Sequence, residues 1–282
     1  MGVSIIADSA SDVSQATAKE WDITILPLKI RFGEEEFLDA VTITNEKFYE
    51  RLIGGEIPKT SQITPADYEE CFKKETDKGN EVVCLTISSG VSGTNQSANI
   101  AASEFDGKVH VVDSKQFCIS YYILVEYAVR LRNEGKSASE IAAAVDALTS
   151  KATVLSIFDT LEYLKKGGRL SSTAAFVGEV LSIKPAITIT NGVVEVFGKV
   201  RGAKKGIATI ISKVEEMGGI DFSMPFCVGC TGGCDNLLEK FLEEGKHLFN
   251  CELSEIKRIS VGATIGTYAG PGAFAIAFYP KG

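Results

Sequence analysis

The feature that most constrains the fold is the alternation of short β-branched segments with amphipathic segments through the first half of the chain. Strands separated by helices indicate repeated βαβ units, and therefore a parallel sheet covered by helices on both faces. The short apolar runs predict strands at Val3–Ala7, Ile23–Phe32, Glu81–Ile87 and Lys108–Val112. Helical periodicity predicts helices at Ser14–Glu20, Glu46–Ile53, Pro65–Lys78, Thr94–Glu104, Phe117–Asn133 and Ala138–Thr149.

The pattern changes from about Ala152 onward. Asn191-Gly192 separates two alternating runs, Pro185–Thr190 and Val193–Phe197, and so predicts an antiparallel hairpin with a two-residue turn. Further segments predict a mixed sheet with helices on one face. These are strands at Ala152–Phe158, Phe226–Cys230, Glu255–Ser260 and Ala273–Phe278, and helices at Ala203–Met217 and Asp235–Glu244.

We therefore expect an α/β protein of two domains. The first, over residues 1–153, is predicted to be a three-layer α/β/α domain with a parallel sheet. The second, over residues 154–282, is predicted to be a two-layer α/β domain with a mixed sheet. A chain of 282 residues is long enough for two such units.

Composition and charge exclude several classes of function. The chain is 45% hydrophobic and 23% charged, which is typical of a globular protein. A net charge of −8 argues against a nucleic-acid partner, because phosphate binding relies on clustered Lys and Arg. The sequence contains neither an apolar run long enough to span a membrane nor a signal-peptide pattern at its first residues. We expect a cytoplasmic protein without stable membrane insertion.

Two polar segments follow predicted strands, at the edge of the sheet where α/β proteins bind ligands. Asp8–Asp12 follows the first strand, and Ser88–Ser97 follows the strand at Glu81–Ile87. Hydroxyl groups and glycines before a helix favour anion binding, because backbone N–H groups and the helix dipole face the ligand. Capping and turn formation explain Asp8–Asp12 equally well. The density of polar residues in Ser88–Ser97 exceeds what capping needs and favours a ligand loop.

Common catalytic motifs are absent or incomplete. Neither a Walker loop nor a dinucleotide-binding glycine pattern occurs, so nucleotide binding is not expected. Gly90-Val-Ser92-Gly-Thr94 begins like a hydrolase elbow but has Thr94 at the final glycine position. A serine nucleophile also needs a base, and His110 and His247 fall within a predicted strand and beyond a predicted helix.

The cysteines could supply thiolates to a metal. Cys227, Cys230 and Cys234 lie close in sequence, with Cys251 further on. Their spacing matches no standard metal site. Cys227 and Cys230 would also point to opposite faces of one strand. We expect reduced thiols with no metal or other cofactor.

Seven segments, in this order and at these intervals, resemble the DegV family, which includes the fatty-acid-binding subunits of bacterial fatty acid kinase. The resemblance runs along nearly the whole chain and is consistent with two α/β domains. The segments are Asp8–Asp12, Pro58–Gln62, Ser88–Ser97, Tyr163–Ser171, Ile183–Pro185, Lys199–Arg201 and Gly266–Gly272.

The resemblance implies that the protein binds one long-chain fatty acid between its domains and is not itself an enzyme. It places the carboxylate at Thr60 and Ser92, with Ser61 beside Thr60 in the same motif. Tyr268 stands where the family usually has histidine, so carboxylate binding is expected to depend less on pH. Arg169 corresponds to a docking surface for the catalytic subunit of fatty acid kinase, which we expect to be distinct from the acyl cavity.

In such proteins the carboxylate is presented to the kinase, and the acyl phosphate then enters phospholipid synthesis. The segment Lys115–Tyr122 is bulkier than its counterpart in the family and is expected to alter the acyl tunnel. Two alternatives remain. One is an esterase or thioesterase that uses Ser92 as its nucleophile, and the other is a carrier of a different anionic amphiphile.

Overall fold

The computed structural model describes residues 2–170 and 183–281. Its strands are β1 (Val3–Asp8), β2 (Thr24–Leu26), β3 (Lys29–Phe32), β4 (Glu35–Leu38), β5 (Lys59–Ser61), β6 (Glu81–Thr86), β7 (Val109–Asp113), β8 (Thr153–Ile157), β9 (Ile183–Thr190), β10 (Val193–Arg201), β11 (Cys227–Cys230), β12 (Arg258–Ser260) and β13 (Phe274–Phe278). Its helices are α1 (Gln15–Glu20), α2 (Asn45–Ile53), α3 (Pro65–Thr76), α4 (Thr94–Ala102), α5 (Ile119–Asn133), α6 (Ala138–Asp146), α7 (Glu162–Lys166), α8 (Ala203–Glu216), α9 (Asp235–Glu244) and α10 (Ala263–Ala269).

The predicted parallel sheet is confirmed. Its strand order is β2-β1-β6-β7, and every neighbouring pair is parallel. Helices α3 and α4 pack against each other and against this sheet, and so do α5 and α6. Helix α3 begins where the residues predict, because Thr64 caps it, Pro65 occupies its first position and Asp67 completes a capping box.

The segment predicted as one strand, Ile23–Phe32, is instead two strands in different sheets. β2 pairs with β1, whereas β3 pairs with β4 and β5 in a three-stranded antiparallel sheet that was not predicted. Pro27 lies between the two strands and has no N–H group to continue a ladder. β4 and β5 are short and mostly polar, so no apolar alternation marks them.

The second half forms a six-stranded mixed sheet in the order β10-β9-β8-β13-β11-β12. The Asn191-Gly192 hairpin is confirmed, and both turn residues have positive φ (50° and 80°), as a two-residue hairpin turn of type I′ requires. An α/β fold with one parallel and one mixed sheet is therefore present.

Helices α8 and α9 of the second half cover one face of the mixed sheet, and α5 of the first half covers the other face. Along β13, Phe274, Ile276 and Phe278 pack in the same core as α8 and α9, while the small residues Ala275 and Ala277 pack in the core that contains α5. Since α5 also contacts β1, it joins the two large sheets. This double coverage explains why all of β13 is buried.

Helix α10 belongs to the second half of the chain but packs against α2, β3 and β5 of the first half. Ala263, at its start, is part of a core cluster with Ile30 and Phe48. Neither α7 nor α10 was predicted, because each is short and α10 lies in a Gly-rich segment. Side chains from both helices line the cavity that the sheets enclose.

Candidate ligand-binding site

A cavity of about 370 Å³ is lined by residues associated with all three sheets, and its volume falls in the roughly 300–1,000 Å³ range of small-ligand pockets. Most of the lining side chains are apolar: Leu28, Ile87, Val91, Phe117, Phe158, Leu164, Ile187, Val194, Ile265 and Ala269. The remaining lining residues are polar or glycine: Thr60, Ser61, Gln62, Ser92, Gly93, Arg169, Thr264 and Tyr268. The four residues predicted to bind the carboxylate, Thr60, Ser61, Ser92 and Tyr268, all line this cavity, and so does Arg169, which was predicted to lie on a docking surface.

Thr60 and Tyr268 meet at the polar end of the cavity. Thr60 lies on β5 and Tyr268 on α10, and their hydroxyl oxygens are 2.6 Å apart. Both residues are half-buried. A phenol hydroxyl donates a hydrogen bond without carrying a charge. The pair therefore offers a neutral, hydrogen-bonding surface to an oxygen-bearing ligand.

Ser92 lies just before α4 and faces the same cavity. Its hydroxyl oxygen is 2.9 Å from that of Thr94 and 3.3 Å from the Thr94 backbone nitrogen. Gly93 is the N-cap residue of α4 and supplies no side-chain cap. The positive end of the helix dipole thus lies next to Ser92, which favours a negatively charged ligand group there.

Gln62 joins the segment that carries Thr60 to the segment that carries Ser92. Its Nε2 donates to Ser97 Oγ at 3.0 Å, and its amide lies against the backbone of Gly93. A β-carbon at Gly93 would lie 2.1 Å from Gln62 Oε1, so a side chain there would displace the Gln62 amide. Gln62 belongs to the Pro58–Gln62 motif, but nothing in its local sequence indicates this bridging role.

Arg169 closes the polar end. Its guanidinium carbon is 5.1 Å from the centre of the Tyr268 ring, and its Nε donates to the Val91 carbonyl at 3.4 Å. The expectation that Arg169 lies on a surface distinct from the cavity is wrong, since Arg169 lines the cavity. The chain turns after α7, where the Arg169 backbone nitrogen donates to the Leu164 carbonyl and the Arg169 Nη1 donates to the Gly167 carbonyl, and this turn brings the arginine to Tyr268. Ser171, the last residue of this motif, lies outside the described residues.

The two polar loops serve different purposes. Only Val91, Ser92 and Gly93 of the Ser88–Ser97 segment line the cavity, while Ser88 donates to the Gly192 carbonyl and so supports the β9–β10 turn. In the described structure the Asp8–Asp12 loop lies behind the cavity and does not line it. Of the bulky run Lys115–Tyr122, only Phe117 reaches the cavity.

The described structure gives Ser92 no histidine partner. His110 lies in β7, and His247 lies beyond α9 with its Nε2 3.0 Å from Glu215 Oε1. Neither histidine lines the cavity. The neighbour of the Ser92 hydroxyl is Thr94, a group that cannot act as a base near pH 7. The geometry of this site does not favour the esterase alternative.

Cys230 and Cys234 lie within hydrogen-bonding distance of each other, but Cys227 lies apart from them. Cys227 donates to the Ile119 carbonyl, whereas Cys230 donates to Asp235, so the two thiols lie on opposite faces of β11. Among residues 2–170 and 183–281, no three His, Cys, Asp or Glu side chains are placed to hold a metal ion. Over the same residues, no helix has both the length and the apolar character needed to cross a membrane.

Fold and site together define an α/β protein with a mostly apolar ligand cavity that is polar at one end. A family model described as "Uncharacterised protein, DegV family" matches residues 2–281. The chain therefore belongs to the DegV family.

Similar proteins of known sequence or known structure support the assignment to the DegV family. A DegV domain-containing protein of Caldanaerobacter subterraneus is 35% identical, and the match covers 99% of each chain. A Thermus thermophilus structure described as fatty acid binding of a DegV family protein matches with a TM-score of 0.89 and 28% identity, over 99% of this chain and 100% of that one. A stearic acid-binding protein of Eubacterium ventriosum matches with a TM-score of 0.85 and 27% identity, over 98% of each chain.

Proposed function

We propose that this protein binds one long-chain fatty acid, with its acyl chain in the cavity and its carboxylate at the polar end. The single observation that carries this proposal is the division of the cavity: ten apolar residues line it, and Thr60, Ser92 and Tyr268 meet its polar part. An amphiphile with one charged end and a long apolar tail matches that division. The fatty-acid-binding structures in Thermus and Eubacterium relatives support the same ligand class.

Burial of the acyl chain would supply most of the affinity. Each buried methylene contributes about 0.8 kcal/mol, so a sixteen-carbon chain gains on the order of 10 kcal/mol before the costs of association. Hydroxyl groups and the α4 dipole satisfy the carboxylate without a bidentate arginine pair. Such an arrangement leaves a carboxylate oxygen open to a second reactant.

We propose further that the protein acts as a carrier and performs no chemistry itself. On this proposal a separate kinase phosphorylates the exposed carboxylate, and the acyl phosphate passes to phospholipid synthesis. This step is supported by the family motifs and by the position of Arg169 at the polar end, where a cation would meet an approaching phosphoryl group. Residues 1–153 and 154–282 would form the two halves of the carrier.

Denaturing mass spectrometry of the purified protein tests the ligand. We expect a mass corresponding to one fatty acid per chain, or stoichiometric uptake of palmitate or oleate by delipidated protein. Lipid-free protein that takes up neither would refute the proposal. If another amphiphile is bound, the ligand belongs to a class other than fatty acids. Turnover of a chromogenic ester that Ser92→Ala abolishes would favour the esterase.

A further inference from the structure

The Asp8–Asp12 loop lies outside the cavity, yet its carboxyl groups are buried. Asp8 is fully buried, and so is Asp39, which follows β4 and lies near the loop. Burying a carboxyl group is costly unless hydrogen bonds compensate. Several of the groups that compensate these carboxyls belong to segments that form the cavity wall.

Asp39 binds the start of α10. Its Oδ1 accepts from the Ala263 backbone nitrogen at 3.1 Å, and its Oδ2 accepts from that of Thr264 at 3.2 Å. Asp12 adds a third bond, because its Oδ1 accepts from the Gly262 nitrogen at 2.8 Å. Three consecutive N–H groups at the beginning of α10 are therefore held by two carboxyls from the first half of the chain.

Asp8 holds a second segment of the cavity wall. Its Oδ2 accepts from the Ile87 nitrogen at 2.6 Å, directly before the segment that carries Ser92. A third wall is held at Leu28, whose nitrogen donates to Ser9 Oγ at 3.0 Å and whose carbonyl accepts from the Asp39 nitrogen at 3.0 Å. Leu28 and Ile87 both line the cavity, as do four side chains of α10.

We infer that Asp8, Asp12 and Asp39 are positioning residues, whose carboxyls hold the Ile87 and α10 segments of the cavity wall and so set the distance between Thr60 and Tyr268. The inference rests on the proposed function for its effect on binding. A carboxyl is required at Asp39 because both of its oxygens accept. An Asn side chain has one acceptor and would turn an N–H donor toward a backbone N–H group.

The test compares Asp39→Asn with Glu75→Gln. Glu75 is a matched control, since it is also a buried carboxyl with several hydrogen bonds, to Ser4, Lys78 and Asn80, but it lies at the other end of the parallel sheet. Palmitate affinity is measured on delipidated protein well below the melting temperature. Fluorine NMR of protein containing 3-fluorotyrosine gives a second readout, with the Tyr268 resonance assigned from Tyr268→Phe.

We expect Asp39→Asn to weaken palmitate binding on the order of tenfold and to shift the Tyr268 resonance. We expect Glu75→Gln to lower the melting temperature with neither effect. The inference is overturned if Asp39→Asn binds palmitate with wild-type affinity or leaves the Tyr268 resonance unshifted. It is also overturned if Glu75→Gln changes the affinity and the resonance as much as Asp39→Asn does. If the wild-type protein binds no palmitate, the proposed function fails, and the resonance alone decides the inference. If Asp39→Asn does not fold, Asp12→Asn is judged by the same criteria.

Discussion

The hydroxyl oxygens of Thr60 and Tyr268 lie 2.6 Å apart, although the two residues are 208 positions apart in the chain. Two hydroxyl groups share one hydrogen in such a bond and leave the second free to donate. The pair can therefore bind a ligand oxygen without first breaking its own hydrogen bond. This property makes the two residues sensitive probes of the site.

Removing either proposed carboxylate donor should weaken fatty-acid binding. Thr60→Val and Ser92→Ala each remove a hydrogen bond to a charged group, which costs about 1.5–3 kcal/mol, or roughly tenfold or more in affinity. Titration of delipidated protein with palmitate measures the change. Thr209→Val is the control, since Thr209 is bonded to the Lys205 carbonyl within α8. Unchanged affinity in both site variants would reduce Thr60 and Ser92 to structural roles.

Histidine at position 268 should make fatty-acid binding depend on pH. Imidazole gains a positive charge below its pKa of about 6.5 and then attracts a carboxylate, whereas a phenol cannot become a cation. We expect the ratio of palmitate affinity at pH 6 to that at pH 8 to be larger for Tyr268→His than for wild type. Identical pH profiles would show that residue 268 does not meet the carboxylate.

A methyl group beneath the Tyr268 ring should disturb the polar end of the cavity. A β-carbon at Gly167 would lie 2.4 Å from two ring atoms of Tyr268, so Gly167→Ala must displace a rigid ring. We expect weaker palmitate binding with the fold retained by circular dichroism. In the control Gly198→Ala, the new β-carbon makes an ordinary 3.4 Å contact with Ala186, and wild-type affinity is expected. Equal palmitate affinities of Gly167→Ala and wild type would contradict the placement of the Tyr268 ring at the ligand site.

Conformational stability should fall as pH rises from about 5 to 8. Burial raises the pKa of Asp8 to about 7, that of Asp12 to about 8, and that of Asp39 above its ordinary value of 3.8. Between the unfolded and folded pKa values the folded state holds more protons, so stability present at low pH is lost as pH rises through the folded values.

Urea unfolding at pH 5, 6.5 and 8 measures this loss in stability. The pKa values of Glu56, Asp67 and Asp221 are lowered, so these groups change the stability only below about pH 5, outside the measured range. Asp12→Asn should flatten the slope, because an amide does not titrate. A wild-type stability that rises across the window would contradict the raised pKa values of Asp8 and Asp12.

Charge reversal at Arg169 should impair both fatty-acid binding and the coupled kinase reaction. The glutamate of Arg169→Glu would stand beside the ligand carboxylate and would also repel a complementary docking surface. Affinity is measured by palmitate titration, and the docking effect by phosphorylation with a compatible kinase at saturating fatty acid. Lys165→Glu, at an exposed residue of α7, controls for net charge. If Arg169→Glu supports full phosphorylation at saturating fatty acid, Arg169 has no docking role.

Local sequence patterns predicted the main elements of the fold, and the family resemblance supplied the residues of the site. The parallel sheet, the start of α3 and the Asn191-Gly192 hairpin follow from periodicity, capping and turn chemistry, which depend on neighbouring residues. The motif residues Thr60, Ser92 and Arg169 were also identified, and all of them line the cavity. The short polar strands and the short helices were not predicted, because their stability comes from packing and not from their own residue pattern.

By itself, then, the sequence determined the α/β class, the order of its main elements and the polar residues available to a ligand. Only the tertiary structure decided that Arg169 stacks beside Tyr268 and lines the cavity, and that Asp39 holds α10. Such contacts join residues more than ninety positions apart. They depend on how three sheets pack around α5 and α10, and no pattern of adjacent residues encodes that packing.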